Sequence, residues 1–172
     1  VDHAERVVPV EDADVSADVT TNLQKNGVQI LHSAVLREVL EHHRHLDVVL
    51  GFGGGRTQVL EAEAVLISIG REPNLERLEL QRAAIAPDEE GYLPTDADCR
   101  LRENIYAAGD VTRHPALVNL AEMEARYAGK HMCGAHRWPL RYRNMSTVMF
   151  FNPPVAAVGR SETACRRENI PY

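Results

Sequence analysis

The sequence contains few cysteines, and they lie far apart. Cys99, Cys133 and Cys165 are the only three, and their odd number and wide spacing fit neither a disulfide framework nor a zinc site. They are typical of reduced thiols in a cytoplasmic protein, and we expect all three to be structural or incidental. Because no two of them are close in sequence, the chain offers no redox dithiol and no catalytic cysteine.

Long apolar runs and an excess of positive charge are missing as well. No run approaches the ~20 apolar residues of a membrane span, and no charged-then-apolar export signal is found near Val1, so no membrane partner is expected. With 19 Lys and Arg against 25 Asp and Glu, the net charge of −6 argues against a nucleic-acid partner. A local basic cluster, Arg137, Arg141 and Arg143, is interpreted as a solvated connector between domains.

What the chain does contain is an ordinary composition for a folded protein. Of its 172 residues, 44% are hydrophobic and 26% are charged, which excludes general disorder. This length permits one domain or parts of several. The sequence begins at Val1 and Asp2 without a turn or capping signal, as is typical of a segment that starts inside an element. We therefore expect an incomplete piece of a larger protein.

Apolar residues at helical spacing mark one early segment. Val15, Val19 and Leu23 are four residues apart, which predicts an amphipathic helix over residues 14–26. Gly27 follows and predicts its end. The start of the helix can be capped by any of three residues, Asp12, Asp14 or Ser16.

Strand-forming residues follow this helix. A strand is expected at 28–31, and three further β-prone stretches predict an antiparallel meander. These three stretches are 34–40, 46–52 and 56–62. The glycines before Arg56 could suggest a phosphate-binding loop, but Arg56 stands where the dinucleotide fingerprint requires glycine. A hairpin turn explains them, because glycine tolerates positive φ.

Three histidines lie in the loop between the first two strands of the meander. His42, His43 and His45 could suggest a metal site. Such a site requires a fixed geometry and usually a further ligand or carboxylate. We interpret the histidines as part of a solvated turn and predict no metal site.

Two nearly apolar runs each end in a glycine followed by a charged residue. They are residues 64–69, followed by Gly70 and Arg71, and residues 105–108, followed by Gly109 and Asp110. Such runs are typical of parallel strands buried on both faces. Because nucleotides bind at the carboxyl ends of strands in open α/β sheets, both turns are candidate cofactor sites.

The second of these turns precedes a predicted helix over residues 115–132. The small residues of the turn would let a ligand approach the backbone, and Asp110 offers a carboxylate to sugar-like hydroxyls. The helix start presents unpaired N–H groups and the positive end of its dipole, which can stabilise an electron-rich ring. A plain buried strand with a helix cap explains the same pattern. His114, Glu122 and Glu124 are expected to face solvent.

Three segments of the sequence carry a resemblance to a known family. They are 69–74 (Ile-Gly-Arg-Glu-Pro-Asn), 105–111 (Ile-Tyr-Ala-Ala-Gly-Asp-Val), and 149–159 with Glu162, the last within strands predicted at 145–151 and 155–158. In content, order and spacing they resemble motifs of the class I pyridine nucleotide–disulfide oxidoreductases. The similarity covers essentially the whole chain and is closest to the dihydrolipoamide dehydrogenase branch. Transhydrogenase-like and mercuric-reductase-like members share these segments.

The resemblance implies that several residues bind FAD. Asp110 matches the acid that holds the ribityl chain, and Gly109 would allow its close approach. Leu117 and Val118 match the helix start whose backbone N–H groups face the flavin ring. Gly70 and Arg71 match the end of a strand where the chain passes between the two nucleotide domains and lines the cofactor.

Three more residues are implied around the nicotinamide cofactor. Asp2 matches the acid that binds the adenosine ribose hydroxyls, which would favour NAD over NADP. Val148 and Phe150 match interface-domain residues near the nicotinamide side of the flavin. Core packing explains Val148 and Phe150 equally well.

The implied fold class is α/β. The chain would hold part of a flavoprotein with two dinucleotide-binding domains of the three-layer β/β/α type, and the first strands of an α+β dimer-interface domain. Residues 1–74 would be the C-terminal part of the NAD(P)-binding domain, including the meander. Residues 75–143 would be the second part of the FAD-binding domain, and residues 144–172 the start of the dimerisation domain.

The function implied is that of the complete protein. It would be an FAD-containing homodimer that moves electrons between NAD(H) and a small-molecule or lipoyl dithiol, with dihydrolipoamide as the expected substrate. The sequence lacks both glycine fingerprints, the redox cysteine pair and the C-terminal His–Glu pair of the family, so no catalytic residue is assigned. We expect the chain alone to be inactive and to bind FAD weakly. The alternatives are an NAD(P) transhydrogenase, a mercuric-reductase-like flavoprotein, or a non-catalytic fragment.

Overall fold

The computed structural model describes residues 1–135, 138–142 and 145–172, which form two compact units. The first unit comprises Val1–Ser68, Val148–Val155 and Arg160–Tyr172, and the second comprises Ile69–Thr147 and Ala156–Gly159. Two residues of the predicted basic connector, Arg137 and Arg143, lie outside the described residues, as does the domain boundary predicted at 143/144.

The first unit begins with the predicted helix, α1 (Ala13–Lys25). Val19 and Ser16 are buried on its inner face, and Gly27 follows its end with a φ of +86°. The N-cap residue is Asp12, yet its side chain caps no N–H of α1. Its carboxylate accepts hydrogen bonds from the N–H groups of Glu162 and Thr163 instead, at 2.7 and 2.9 Å.

The predicted meander is confirmed. The strands β1 (Val35–Glu41), β2 (Leu46–Gly51) and β3 (Thr57–Ala62) form an antiparallel sheet in that order. The central strand carries the buried residues Val48 and Leu50. The glycines form the turn between β2 and β3, where the N–H of Phe52 donates to the carbonyl of Arg56 at 2.8 Å. Gly54 and Gly55 have positive φ, so the hairpin interpretation is also confirmed.

Two strands predicted in this region are wrong. Residues 28–31 form no strand, although the carbonyl of Leu31 accepts from the N–H of Asp2 at 2.9 Å. Residues 64–69 form no strand either, and Leu66 and Ile69 are 92% and 83% exposed. A buried parallel strand needs a sheet to pair with and helices packed on both faces of that sheet. The described residues provide no strand beside 64–69, so its apolar side chains are left in solvent.

The second unit contains a short sheet and a long helix. The strands β4 (Arg100–Arg102) and β5 (Ile105–Tyr106) pair antiparallel, and α2 (Val118–Met132) follows. The parallel strand predicted at 105–108 is therefore wrong in length and direction. A two-residue turn, with Asn104 at a φ of +64°, makes the preceding segment its antiparallel neighbour. The core of this unit consists of Cys99, Tyr127 and Ala128, with Tyr106 and Leu140 packed against it.

The last elements are two strands and a short helix. The strands β6 (Ser146–Met149) and β7 (Val155–Val158) form a two-stranded sheet. The first is shorter than predicted, and the second is confirmed. In α3 (Glu162–Arg167), the hydroxyl of Ser161 caps the helix by accepting from the N–H of Ala164 at 3.1 Å. Across the described part of the chain, none of the helices combines the length and apolar character that a membrane span requires.

Candidate functional site

The turn after β5 is built around a glycine that no other residue could replace without strain. Gly109 has a φ of +80°, in the left-handed region. A Cβ atom at this position would lie 3.1 Å from the Cβ of Ala121 on α2. The buried Thr112 closes the turn, since its N–H and its hydroxyl both donate to the carbonyl of Gly109 at 2.9 Å. The backbone at Gly109 therefore lies close to α2, with too little room for a side chain.

A buried carboxylate of the same helix also holds this turn. Glu124 of α2 is 0% exposed. Its Oε2 accepts from the N–H of Gly109 at 2.6 Å, and its Oε1 accepts from the hydroxyl of Tyr142 at 3.1 Å. Both oxygens thus have the partners that a buried carboxylate requires. The sequence-based prediction that Glu124 faces solvent is wrong.

The sequence carries a signal that could have identified this residue. Leu120, Glu124 and Tyr127 follow one another at helical spacing, and all three are buried. A charged residue within the apolar stripe of a helix indicates a buried polar contact. Glu122, for which the same solvent-facing position was predicted, is exposed and pairs with Arg126 at 2.9 Å, so that prediction is confirmed.

Tyr142 connects the buried carboxylate to a histidine. Its ring stacks on that of His114, with 3.7 Å between the ring centroids. His114 is therefore half-buried, whereas the sequence predicted a solvent-facing side chain. Burial raises the pKa of the Tyr142 phenol well above its usual range. Burial likewise raises the pKa of the Cys99 thiol. At neutral pH the Tyr142 hydroxyl is therefore protonated and can donate to Glu124.

The structure brings together residues from both predicted glycine turns. Nη2 of Arg71 lies 2.8 Å from Oδ2 of Asp110, and both side chains are partly exposed. Gly70 precedes Arg71 with a φ of +135°, and a Cβ there would meet nothing within 4 Å. Gly70, Arg71, Gly109 and Asp110 therefore form one region of the second unit, which we call the Arg71–Asp110 site.

The start of α2 adds backbone donors beside Gly109. Leu117 is the N-cap residue in an extended conformation, and no side chain caps the first turn. The N–H groups of the first turn have no partner within the helix and carry the positive end of its dipole. The side chain of Val118 is exposed. At this position the group that could bind a ligand is the backbone N–H.

The remaining predicted residues belong to the first unit. Oδ1 of Asp2 accepts from the N–H of Ala4 at 2.9 Å, which orients the carboxylate at the start of the chain. Val148 is partly exposed and Phe150 is 93% exposed. Core packing is therefore wrong as an explanation of Phe150 within the described residues, and its predicted role beside a cofactor stays a prediction.

The fold and the site together define a class of protein. The chain is a mixed α/β protein in which a glycine turn, a carboxylate and an uncapped helix start converge in one unit. Residues 1–125 match the family described as pyridine nucleotide-disulphide oxidoreductase. The chain belongs to this family.

Curated relatives agree with this assignment. The chain is 29% identical over 172 residues to a dihydrolipoyl dehydrogenase of Chlamydia pneumoniae, which covers 99% of this chain and 36% of the relative. It is 28% identical over 166 residues to a mercuric reductase of Staphylococcus aureus, covering 96% of this chain and 30% of the relative. The chain thus spans about a third of the length of these proteins.

Solved structures show the same fold. The crystal structure of LpdA from Mycobacterium tuberculosis matches with a TM-score of 0.87 and 31% identity, covering 96% of this chain and 36% of that one. The Cu(II) complex of the HOCl-induced flavoprotein disulfide reductase RclA from Escherichia coli matches with a TM-score of 0.85 and 26% identity, covering 97% and 38%. The predicted α/β fold of a flavoprotein disulfide reductase is confirmed, whereas its finer division into layers and domains stays a prediction.

Proposed function

We propose that this chain is part of a homodimeric oxidoreductase that depends on FAD and NAD. The complete protein would transfer electrons between NAD(H) and a dithiol, with dihydrolipoamide as its substrate. Family membership and similarity to dihydrolipoyl dehydrogenases support the reaction class. The observation that carries the proposal is the Arg71–Asp110 site beside the start of α2. Three free cysteines support a cytoplasmic location.

The residues of this site suit a flavin. Asp110 would accept hydrogen bonds from the ribityl hydroxyls, and the contact with Arg71 would orient its carboxylate. Gly109 leaves room for a close approach, and Gly70 would line the same cofactor. The N–H groups of Leu117 and Val118 would face the electron-rich edge of the ring. The N–H of Leu117 donates to the carbonyl of Pro115 at 2.8 Å and would exchange that partner for the ring. When bound, FAD supplies the electron transfer between the nicotinamide and the dithiol.

Glu124 has a positioning role in this proposal. Its hydrogen bond to the Gly109 N–H fixes the backbone immediately before Asp110. Because Tyr142 donates to its other oxygen, the carboxylate cannot swing away without losing a second contact. Glu124 thereby holds the Asp110 carboxylate at the place where the cofactor would bind.

Residues of the first unit would contact the nicotinamide cofactor. Asp2 would accept hydrogen bonds from the adenosine ribose, which favours NAD, since the 2′-phosphate of NADP would meet a negative charge. Val148 and Phe150 would lie near the nicotinamide. The exposure of Phe150 leaves its ring available for such a contact.

Flavin occupancy tests the proposal. In protein expressed from its complete gene, Asp110→Asn should weaken FAD binding by about 10-fold to 100-fold, the effect of losing a charge-assisted hydrogen bond. Flavin absorbance per protein after dialysis measures this loss. Glu79→Gln is the matched control, because Glu79 is an exposed acid that pairs with Arg82 at 3.0 Å in the same unit. Equal flavin content in both variants would overturn the assignment.

A second candidate reaction has support from one relative. The similarity to a mercuric reductase makes Hg(II) an alternative electron acceptor. Assays of the purified complete protein separate the candidates. NAD⁺ reduction by dihydrolipoamide supports the proposal, whereas NADPH oxidation that depends on Hg(II) supports the alternative. Hydride exchange between NADPH and NAD⁺ without either substrate would indicate a transhydrogenase.

A further inference from the structure

We propose that the β1–β2 hairpin carries a binding site for a divalent transition-metal ion, with His42, His45 and Asp47 as its ligands. This His–His–Asp cluster is separate from the flavin proposal and does not depend on it. In the sequence alone the three histidines are typical of a solvated turn, because no carboxylate ligand can be assigned to them without the strand register. The structure supplies both missing requirements, a carboxylate and a fixed geometry.

The ligand atoms already lie at distances close to those of a metal site. Nε2 of His42 is 3.1 Å from Oδ2 of Asp47, and Nε2 of His45 is 3.5 Å from Oδ1. One ligand atom from each residue falls within 4.8 Å of the others. Ligands at about 2.1 Å from a tetrahedral zinc ion are about 3.4 Å apart. Small side-chain rotations would therefore bring all three atoms onto one ion.

The hairpin backbone holds these side chains on one face. The N–H of His42 donates to the carbonyl of His45 at 2.9 Å, which closes the turn. Moving from the turn into the two strands, Glu41 of β1 pairs with Leu46 of β2, and Leu40 then pairs with Asp47. Side chains two residues apart on a strand point to the same face. Asp47 therefore lies diagonally across from His42 and on the same side as His45.

The two imidazoles are also oriented before any ion binds. The rings of His42 and His45 are stacked, with centroids 4.7 Å apart and an angle of 28° between planes. The sheet below them is anchored by Val48 and Leu50, which are buried. Because the ligands are held on paired strands, binding would require little ordering of the backbone.

The ligand chemistry selects a class of ion. Two imidazole nitrogens and one carboxylate suit Zn²⁺, Ni²⁺ or Cu²⁺, whereas Ca²⁺ and Mg²⁺ prefer oxygen ligands alone. Glu61 pairs with Asp47 across β2 and β3, which adds a second negative charge near the cation. The partial exposure of all three ligand residues leaves coordination positions open to water or to an external ligand.

Titration with Zn²⁺ and with Co²⁺ tests the site in the chelator-treated chain. Calorimetry should give one Zn²⁺ per chain with a dissociation constant on the order of 10 µM or tighter. His42→Ala and Asp47→Asn should each weaken binding by at least about tenfold, the effect of losing one ligand. His43→Ala is the matched control, because His43 lies in the same turn but outside the cluster.

Further measurements exclude binding elsewhere. Co²⁺ bound by nitrogen and oxygen should give weak visible bands without a thiolate charge-transfer band, and Cys133→Ser should leave affinity unchanged although Cys133 is exposed. Excess Ca²⁺ should not compete. Unchanged circular dichroism in the variants would show that they fold. Failure of Zn²⁺ to bind, or equal weakening in His43→Ala, would overturn the proposal.

Discussion

The two glycine turns of the second unit have the same sequence pattern and different surroundings. Each follows an apolar run, and each places a charged residue directly after a glycine with positive φ. Around Gly109 the backbone packs against Ala121 and donates to the buried Glu124. Around Gly70, apart from its two neighbours in the chain, no described residue has an atom within 4 Å of the place a Cβ would occupy, and the preceding run is exposed.

This difference shows what such a pattern can and cannot predict. An apolar run ended by glycine and a charged residue indicates where the chain turns, because glycine alone adopts these φ values without strain. It does not indicate whether the turn is packed, since packing depends on partners distant in sequence. Glu124 is such a partner, 15 residues beyond Gly109.

Alanine substitutions at Gly70 and Gly109 should lower the free energy of unfolding by different amounts. Gly109→Ala should lower the free energy of unfolding by about 2–4 kcal/mol, because alanine is strained at this φ and its methyl group would press on Ala121. Gly70→Ala should cost under about 1 kcal/mol, because an exposed and unpacked segment can relax its backbone. Urea unfolding of both variants, compared with the unsubstituted chain, measures this difference.

The test is whether Gly109→Ala loses more unfolding free energy than Gly70→Ala. A loss at Gly70 that equals the loss at Gly109 would mean that the left-handed backbone alone sets the cost. The m-value should be the same in all three proteins, since a change in slope would indicate an altered unfolded state.

Removing the buried carboxylate should have the next largest effect. Glu124→Gln keeps the shape of the side chain but replaces one acceptor oxygen by an NH₂ donor. The amide oxygen could still accept from the N–H of Gly109, and the NH₂ would then face the hydroxyl of Tyr142, which would have to accept instead of donate. Replacing two hydrogen bonds to a charged carboxylate by neutral ones should cost about 1–3 kcal/mol of unfolding free energy, measured by urea unfolding.

A matched substitution on the same helix controls for charge. Glu122→Gln also removes a negative charge from α2, but Glu122 is exposed and pairs only with Arg126 in the described residues. Its cost should stay below about 0.5 kcal/mol. Equal losses at Glu122 and Glu124 would show that helix charge, and not the bond to Gly109, determines the effect.

Local patterns were sufficient to predict much of the fold. The helix α1, the three-stranded meander and the glycine hairpin depend on helical spacing, β-prone stretches and turn residues that lie close together in sequence. The position of Asp110 in a short loop before α2 was predictable for the same reason. These features need no information about distant partners.

Two of the wrong predictions, the buried strand at 64–69 and the solvent-facing Glu124, concerned partners that lie elsewhere in the sequence. The run at 64–69 reads as a buried strand, but burial requires neighbouring strands that the described residues do not provide. Glu124 reads as a surface acid until the turn at Gly109 is placed beside it. Asp47 joins His42 and His45 only because the β1–β2 register places it on their face.

The free energy of unfolding at alkaline pH should report on the burial of Tyr127 in α2. Tyr127 is buried, and burial together with its 2.6 Å hydrogen bond to Asp98 raises its pKa to about 12, from 10.0. The folded chain therefore holds this proton more tightly than the unfolded chain. The resulting stability is fully present below pH 10 and is lost as pH rises from 10 through 12.

The variant Tyr127→Phe isolates this contribution. Its unfolding free energy, measured by urea unfolding from pH 8 to pH 12, should fall less steeply above pH 10 than that of the unsubstituted chain. Part of the slope should persist, because burial also raises the pKa of Tyr142. Parallel curves for the two proteins would contradict the assignment of the raised pKa to Tyr127.

The ion pair that joins the two turns should have the smallest effect on stability. Arg71 and Asp110 lie 2.8 Å apart, but their side chains are 76% and 40% exposed, so water screens their attraction. Arg71→Ala should change the unfolding free energy by no more than about 0.5 kcal/mol, and less in high salt. A double-mutant cycle with Asp110→Asn measures the coupling. A coupling free energy above about 1.5 kcal/mol would show that the two turns stabilise each other as one structure, and would contradict the view that only the Gly109 turn is firmly packed.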